Sequence, residues 1–213
     1  MNFVIAAGGT GGHLFPGLAV GEVLRARGHG VMLIISEKEI DALATEGRGE
    51  FRIERMPGVG LSGKSPIALW KFALKFRAGL NQVKALYRDF APHAVLGMGG
   101  FTSTGPILAG RARKIPTFVH ESNAISGKSN RLNARLVTRV LLGFAECART
   151  FPAGKCDVTG TPIRTSLAER IEKTRALAAF GLTPGRPTLL VIDRKSTRLN
   201  SSHVVTSRMP SSA

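Results

Sequence analysis

The chain has 213 residues, 43% of them hydrophobic and 21% charged, which is enough to bury a core in one large domain or two small ones and excludes disorder over most of its length. Two cysteines, Cys147 and Cys156, exclude a disulfide scaffold, and no CxxC pair points to zinc. Thirty Lys and Arg against 14 Asp and Glu give a net charge of +16, which suggests a polyanionic partner (a phosphorylated substrate, nucleic acid or an anionic membrane surface), with a basic proteome or a basic tail as the plainer alternative.

Residues 2–6 (NFVIA) read as a short buried strand, followed by a glycine-rich turn, GGTGGH, at 8–13. Pro16 suits the first turn of a helix, where its missing N–H costs nothing, and Leu18, Val20, Val23 and Leu24 continue at nearly helical spacing to residue 27. Gly28 and Gly30 end that helix. The continuous apolar run at 31–35 (VMLII) fits a strand buried on both faces of a parallel sheet. A helix near 37–46, a weak strand at 51–55 and a long helix over about 65–90 follow. Strands at 94–97 and 116–120 flank a helix near 103–113, and a helix near 126–136 leads to a strand at 137–142. This strand–helix alternation predicts an α/β fold with a Rossmann-like, doubly wound parallel sheet.

A turn cluster at 159–163 (TGTPI) reads as a hinge, with a helix over about 164–180 and a strand at 188–192 (TLLVI) beyond it. Residues 193–213 change character, with six serines, no glycine and no periodicity, and are expected to be a disordered tail that resembles translated sequencing-adapter ends. The tail holds only three of the sixteen net positive charges, so the basic character belongs to the domain. No apolar run approaches the roughly 18 residues of a membrane-spanning helix, and the N-terminus lacks the basic segment of a signal peptide. The expectation is a cytoplasmic protein in a reducing compartment.

Four segments carry chemistry. In open α/β sheets ligands bind at the carboxyl ends of the strands, and glycines there let backbone N–H groups approach an anion. GGTGGH at 8–13 occupies such an end and suits a phosphate-bearing ligand. Gly9 and Gly11 match the start of a dinucleotide G-x-G-x-x-G pattern, but Leu14 takes the third glycine's place. Glu37, after the second strand, leaves a ribose contact and hence a nicotinamide-dinucleotide reading open. His13 closes the loop, where the helix dipole disfavours its cation and keeps a proton acceptor available. A purely structural histidine is the even alternative.

A second glycine cluster, GMGGF at 97–101, follows the strand at 94–97 and places another anion-compatible turn on the same edge. HESN at 120–123 ends the next strand, and its mixed donors and acceptors suit sugar hydroxyls. For His120 alone, a satisfied half-buried histidine is the better reading. Arg164 opens the hinge helix and can reach a phosphate in a cleft, or stand as an ordinary surface arginine. Finally, SPIALWKFALKFRAGL (65–80) lines Leu69, Phe72, Phe76 and Leu80 on one helical face. Trp70 and Leu74 form a second apolar strip, with Lys71, Lys75 and Arg77 beside them. That combination fits a helix lying on a membrane surface, against the plainer reading of a core helix with surface cations.

The segments GGTGGHLFPGLAV (8–20), GMGGFTSTGP (97–106), HESNAISGKSNR (120–131) and GTPIRT (160–165) resemble, in order and spacing, the MurG family of bacterial peptidoglycan glycosyltransferases. The resemblance spans about residues 2–192. It implies a GT-B fold, two Rossmann-like domains with the active site between them. It also implies inverting transfer of N-acetylglucosamine from UDP-N-acetylglucosamine to the muramyl 4-hydroxyl of undecaprenyl-pyrophosphoryl-muramyl-pentapeptide (lipid I), giving lipid II. On this resemblance His13 is the general base. Thr10, Gly11, Gly12, Asn123 and Arg164 contact the donor, and Gly99, Gly100 and Glu121 the acceptor. Leu69, Trp70, Lys71, Phe72, Lys75 and Phe76 match a membrane-docking patch at the cytoplasmic face of the inner membrane.

No DxD motif stands beside a strand end, so no bound metal is expected; no cofactor is expected either, and 6% aromatics with no recognised binding motif argue against nucleic acid. The implied division is an acceptor-side domain over 1–163, the start of a donor-binding domain over 164–192, and the tail. The glycine loop that the family carries after TLLVI is missing here, since Asp193 follows Ile192. The chain alone is therefore expected to be inactive. A nicotinamide-dependent oxidoreductase domain and a basic nucleic-acid-binding module are the alternatives.

Overall fold

The computed structural model describes residues 1–37, 49–56 and 65–188. Seven parallel strands form one sheet in the order β3-β2-β1-β4-β5-β6-β7. They are β1 (Asn2–Ala6), β2 (Gly30–Ser36), β3 (Arg52–Met56), β4 (Ala94–Gly97), β5 (Thr117–Glu121), β6 (Arg139–Leu142) and β7 (Cys156–Val158). The helices are α1 (Gly11–Ala26), α2 (Pro66–Phe90), α3 (Thr104–Ala112), α4 (Lys128–Ala134), α5 (Thr165–Ala168) and α6 (Lys173–Ala179), with single 3-10 turns at Phe101–Ser103 and Ala145–Thr150. The strand order reverses between β1 and β4, the switch point at which such sheets bind ligands.

Both faces of the sheet are covered, as the unbroken apolar strands require. Val4, Ala6, Met32 and Ile34 pack on one face against Val83 and Tyr87 of α2 and Ala109 of α3. Their strand neighbours Ile5, Leu33 and Ile35 pack on the other face against Leu14 and Leu18 of α1. Alternate residues of β1 thus feed two different cores. A third cluster, around Val119, Val140 and Leu142, joins β5 and β6 to α4 and the 145–150 turn. The Tyr87 hydroxyl donates to the Pro106 carbonyl across α2 and α3, and burial pushes its acidity far down.

The strands expected at 2–6, 31–35, 51–55, 94–97, 116–120 and 137–142 are all present, shifted by at most two residues at an end. Two helical expectations need correction. α1 begins at Gly11 rather than at Pro16, so the glycine run itself forms the first turn and Pro16 lies inside the helix. The helix expected over 164–180 is two short pieces, with Glu169 extended between them (ψ 124°). Neither piece buries a residue, so no packing holds them as one rod. β7 and the 145–150 turn are additions: three- and six-residue pieces are too short to show periodicity. The expected helix at 37–46, the strand at 188–192 and the tail at 193–213 fall almost wholly outside the described residues.

The chain divides into two compact units, residues 1–169, which hold the whole sheet, and residues 170–213. Among the described residues of the second unit, α6 is the one helix, and it is exposed.

Candidate functional site: two glycine turns and a histidine at the sheet edge

β1 and β4 run side by side in register, with Ala6 opposite Gly97, so their carboxyl ends emerge together. The Met98 N–H donates to the Ala6 carbonyl at 2.9 Å and extends the pairing one residue beyond the strands. Past that point each chain turns on glycine. Gly9 has φ 92°, Gly99 φ 118° and Gly100 φ 70°, all in the left-handed region where a Cβ is strained. Thr10 is the N-cap of α1, with an extended backbone and no side-chain capping bond to a helix N–H, and the first turn carries no acidic residue. The positive end of a 16-residue helix therefore opens between the two glycine turns with no negative side chain of its own.

His13 sits in that first turn. Its Nδ1 lies 3.2 Å from Thr10 Oγ1, and its ring packs against the second glycine turn. A methyl group added at Gly99 would come within 2.7 Å of His13 Nε2. Thr10, Gly11, Gly12 and His13 thus come together with Gly99 and Gly100. Leu14, where a dinucleotide motif has its third glycine, is fully buried in the core. The close helix–strand approach is made instead at Gly17, whose added Cβ would lie 2.7 Å from the Cβ of Ala7.

The end of β5 is built differently. His120 is 2% exposed and both ring nitrogens are engaged. Its Nε2 pairs with the Gly160 carbonyl at 3.0 Å, so it carries the proton, and Nδ1 accepts from the Ser122 hydroxyl at 3.1 Å. Burial pushes its pKa below the ordinary value, against smaller opposing effects from the Gly160 bond and the Glu121 charge. The Glu121 carboxylate, equally buried, accepts four hydrogen bonds. Oε1 takes the backbone N–H and the Nδ2 of Asn123, at 3.0 and 2.8 Å. Oε2 takes the Gly127 N–H at 2.9 Å and Asn130 Nδ2 at 3.0 Å. Glu121 is therefore turned into the protein, where it shapes the 122–127 loop, rather than toward a ligand. Asn123 is exposed at that loop, with its amide nitrogen tied down.

Arg164 reaches back to α1. The chain leaving β7 is bonded to the end of β6, with the Thr159 and Gly160 N–H groups donating to the Leu142 carbonyl. It then carries the Arg164 guanidinium to 4.9 Å over the Phe15 ring, two residues from His13. Arg164 thus joins the glycine-turn group, whereas Asn123 and Glu121 stand one strand further along.

The 65–80 segment forms the first half of α2. Every buried residue of α2, namely Gly79, Val83 and Tyr87, lies in its second half. The Ser65 hydroxyl caps its start by accepting from the Ala68 N–H. Leu69, Trp70 and Leu74 are 48, 64 and 49% exposed, and Lys71, Lys75 and Arg77 are exposed among them. Phe72 and Phe76 are stacked, partly buried against each other. Phe101, directly after the second glycine turn, meets Phe72 edge-on with ring centroids 6.4 Å apart. This link between the site and the α2 face was not foreseen from the sequence, although Phe101 stands in the quoted glycine cluster. Among the described residues no group of three or more His, Cys, Asp and Glu side chains could hold a metal ion, and no helix is long and apolar enough to cross a membrane.

A doubly wound parallel sheet with glycine turns at its switch point is an α/β architecture whose carboxyl edge suits an anionic ligand. The model of the glycosyltransferase family 28 N-terminal domain matches residues 3–142, and the chain belongs to that family. A UDP-N-acetylglucosamine–N-acetylmuramyl-(pentapeptide) pyrophosphoryl-undecaprenol N-acetylglucosamine transferase of Geobacter metallireducens is 38% identical over 173 residues, 80% of this chain and 47% of the relative. A protein of the same description from Lacticaseibacillus casei is 33% identical over 208 residues, 96% of this chain and 57% of the relative. The crystal structure of Acinetobacter baumannii MurG superposes with a TM-score of 0.61 at 27% identity, covering 74% of this chain and 44% of that one. The chain spans about half the length of the curated relatives it matches. Family membership does not favour the nicotinamide-dinucleotide and nucleic-acid alternatives.

Proposed function

We propose that the chain is the acceptor-side half of an inverting glycosyltransferase. The enzyme moves N-acetylglucosamine from UDP-N-acetylglucosamine to lipid I and forms lipid II for peptidoglycan synthesis. The observation that carries this reading is the seating of His13 between Thr10 and Gly99 at the N-terminus of α1.

With Nδ1 beside Thr10 Oγ1, Nε2 faces the second glycine turn. There it takes the proton of the muramyl 4-hydroxyl as that oxygen attacks the anomeric carbon of the donor sugar, and UDP leaves. The turn at Gly99 and Gly100 receives the acceptor pyrophosphate through backbone N–H groups. Thr10, Gly11 and Gly12, with Arg164, face the donor's phosphates, where the helix terminus and the guanidinium stabilise the departing diphosphate. Asn123 contacts the donor sugar. Glu121 acts on the acceptor region through the loop it organises, as a positioning residue.

Residues 1–163 form the acceptor-side domain, and residues from 164 begin the donor-binding domain. The exposed apolar and cationic face over Leu69–Phe76 (with Trp70, Lys71, Phe72 and Lys75) docks on an anionic membrane surface, so the enzyme works as a peripheral protein at the cytoplasmic face of the inner membrane.

The test is transfer of labelled N-acetylglucosamine to a lipid I analogue by residues 1–163 joined to the second half of the Geobacter metallireducens relative. His13→Ala is expected to lower the rate by roughly 10²–10⁴; a loss of only a few-fold would remove His13 from the chemistry. Transfer by the 213-residue chain unaided would overturn the half-site reading. For the membrane face, flotation with anionic vesicles should be lost in Trp70→Ser with Lys71→Glu, and unchanged flotation would reject it.

A further inference from the structure

We propose that Phe101, Phe72 and Phe76 form a binding track for the first isoprene units of the acceptor's prenyl chain, distinct from general contact with the membrane. The proposal rests on the reading that the Gly99–Gly100 turn receives the acceptor pyrophosphate. Phe101 follows Gly100 directly and is 50% exposed, an unusual cost for a phenyl ring at the edge of a polar site. Its ring meets Phe72 at 6.4 Å and 81°, and Phe72 stacks on Phe76 at 6.0 Å and 13°. The three rings make one continuous apolar path from the pyrophosphate turn onto the face of α2.

Three features pick a prenyl diphosphate over other apolar occupants. The path starts one residue from an anion-compatible turn, so a ligand that fills both ends is an apolar chain with a diphosphate head. Leu69 stands one turn before Phe72 on the same helical face, and Ile67 and Trp70 beside it are 67 and 64% exposed, so a longer chain has exposed apolar surface to continue onto. Lys71 and Lys75 flank the rings and leave the path itself free of acidic side chains. Rings held edge-to-face and stacked are pre-ordered, so seating a branched chain on them costs little side-chain entropy. Such a track would fix the distance between the membrane and the glycine turn, so that the acceptor sugar arrives at His13 in register.

The experiment is calorimetric titration of the 213-residue chain, without detergent or lipid, with inorganic pyrophosphate and with dimethylallyl, geranyl and farnesyl diphosphate. Affinity is expected to rise about tenfold from dimethylallyl to geranyl diphosphate, because the added unit is buried on the rings. Phe101→Ala and, separately, Phe72→Ala should each bring geranyl diphosphate down to the affinity of the dimethylallyl compound. Both side chains are partly exposed, so each variant can be checked as folded by its melting curve before titration. Binding of all three prenyl diphosphates with one affinity would overturn the track and leave the pyrophosphate turn standing. A chain-length dependence that survives both substitutions would place the chain elsewhere and overturn it equally. Failure of pyrophosphate and of every prenyl diphosphate to bind would remove the pyrophosphate turn, and the track with it.

Discussion

Along the carboxyl edge of the sheet, the ends of β1 and β4 meet as two glycine turns, and the end of β5 stands beside them as a knot of buried side chains. At the glycine turns the backbone takes left-handed angles that glycine adopts without strain, the N-terminus of α1 carries no acidic side chain, and His13 lies against Thr10 and Gly99. At the β5 end both nitrogens of His120 and both oxygens of Glu121 are spent on partners within the protein. The two ends therefore differ in build: one presents backbone turns and a helix terminus, the other a closed network of buried side chains. On the proposed reading the first region meets the ligand, and the second holds the first region's neighbours in shape.

The sharpest way to break this comparison is Glu121→Ala. It strips partners from the Gly127 N–H and from the buried Asn130 amide, and it frees the 122–127 loop. A loss of about 3–5 kcal/mol in unfolding free energy is expected by urea titration, since bonds to a buried charge are worth more than neutral ones. Glu121→Gln should recover only part of it, because a side-chain NH₂ would face N–H donors. A loss under about 1 kcal/mol would mean that the β5 end is not the scaffold described here. His13→Ala should lie at the other extreme, with stability within about 1 kcal/mol of wild type while transfer collapses.

Gly99→Ala comes next. It places a Cβ at φ 118° and drives it to 2.7 Å from His13 Nε2. The backbone strain alone is worth about 1–3 kcal/mol, and the ring must swing away as well. We expect pyrophosphate binding to fall with it. A variant that keeps both wild-type stability and pyrophosphate binding would show that the two glycine turns are not coupled through His13.

Much of this was legible in the sequence, for identifiable reasons. The parallel sheet was announced by continuous apolar strands such as VMLII, and the two glycine turns by their position directly after strands. The start of α1 was misjudged because Pro16 is the usual marker of a first turn, whereas Gly11 and Gly12 carry no propensity signal for the turn they form. The inward role of Glu121 was hidden because its donors come from two, six and nine residues further on, and only the loop's path gathers them. The contact of Phe101 with Phe72 joins residues 29 apart in the chain, and neither periodicity nor spacing reports it.

A smaller effect separates the β5 end from its surroundings by pH. His120 is neutral in the fold, and burial holds its pKa below the ordinary value of about 6.5. The unfolded chain therefore takes up a proton that the folded one refuses. Stability is unaffected above about pH 6.5, declines as the pH falls below it, and levels off once the folded pKa is passed. Melting temperatures across pH 7.5 to 5 should show this decline, and His120→Gln, which can still donate to the Gly160 carbonyl, should flatten it. An unchanged slope would mean that His120 is not the buried group that titrates.

The smallest expected effect lies at the sheet's edge strand and has the opposite origin. Arg139 donates from Nε and Nη2 to the two oxygens of Asp157, at 2.7 and 2.6 Å, and so ties β6 to β7. That pairing holds the Asp157 carboxyl below its ordinary range, so its contribution is complete above about pH 4 and disappears as the pH falls through the folded value. Both side chains are about 40% exposed, and water screens the pair. Asp157→Asn should therefore shift the acid-unfolding midpoint only slightly, and only below about pH 4, leaving the decline near pH 6 intact. If instead the substitution removed the decline near pH 6, the pH response would belong to the edge strand, and His120 would lose its place as the marker of a satisfied, closed β5 end.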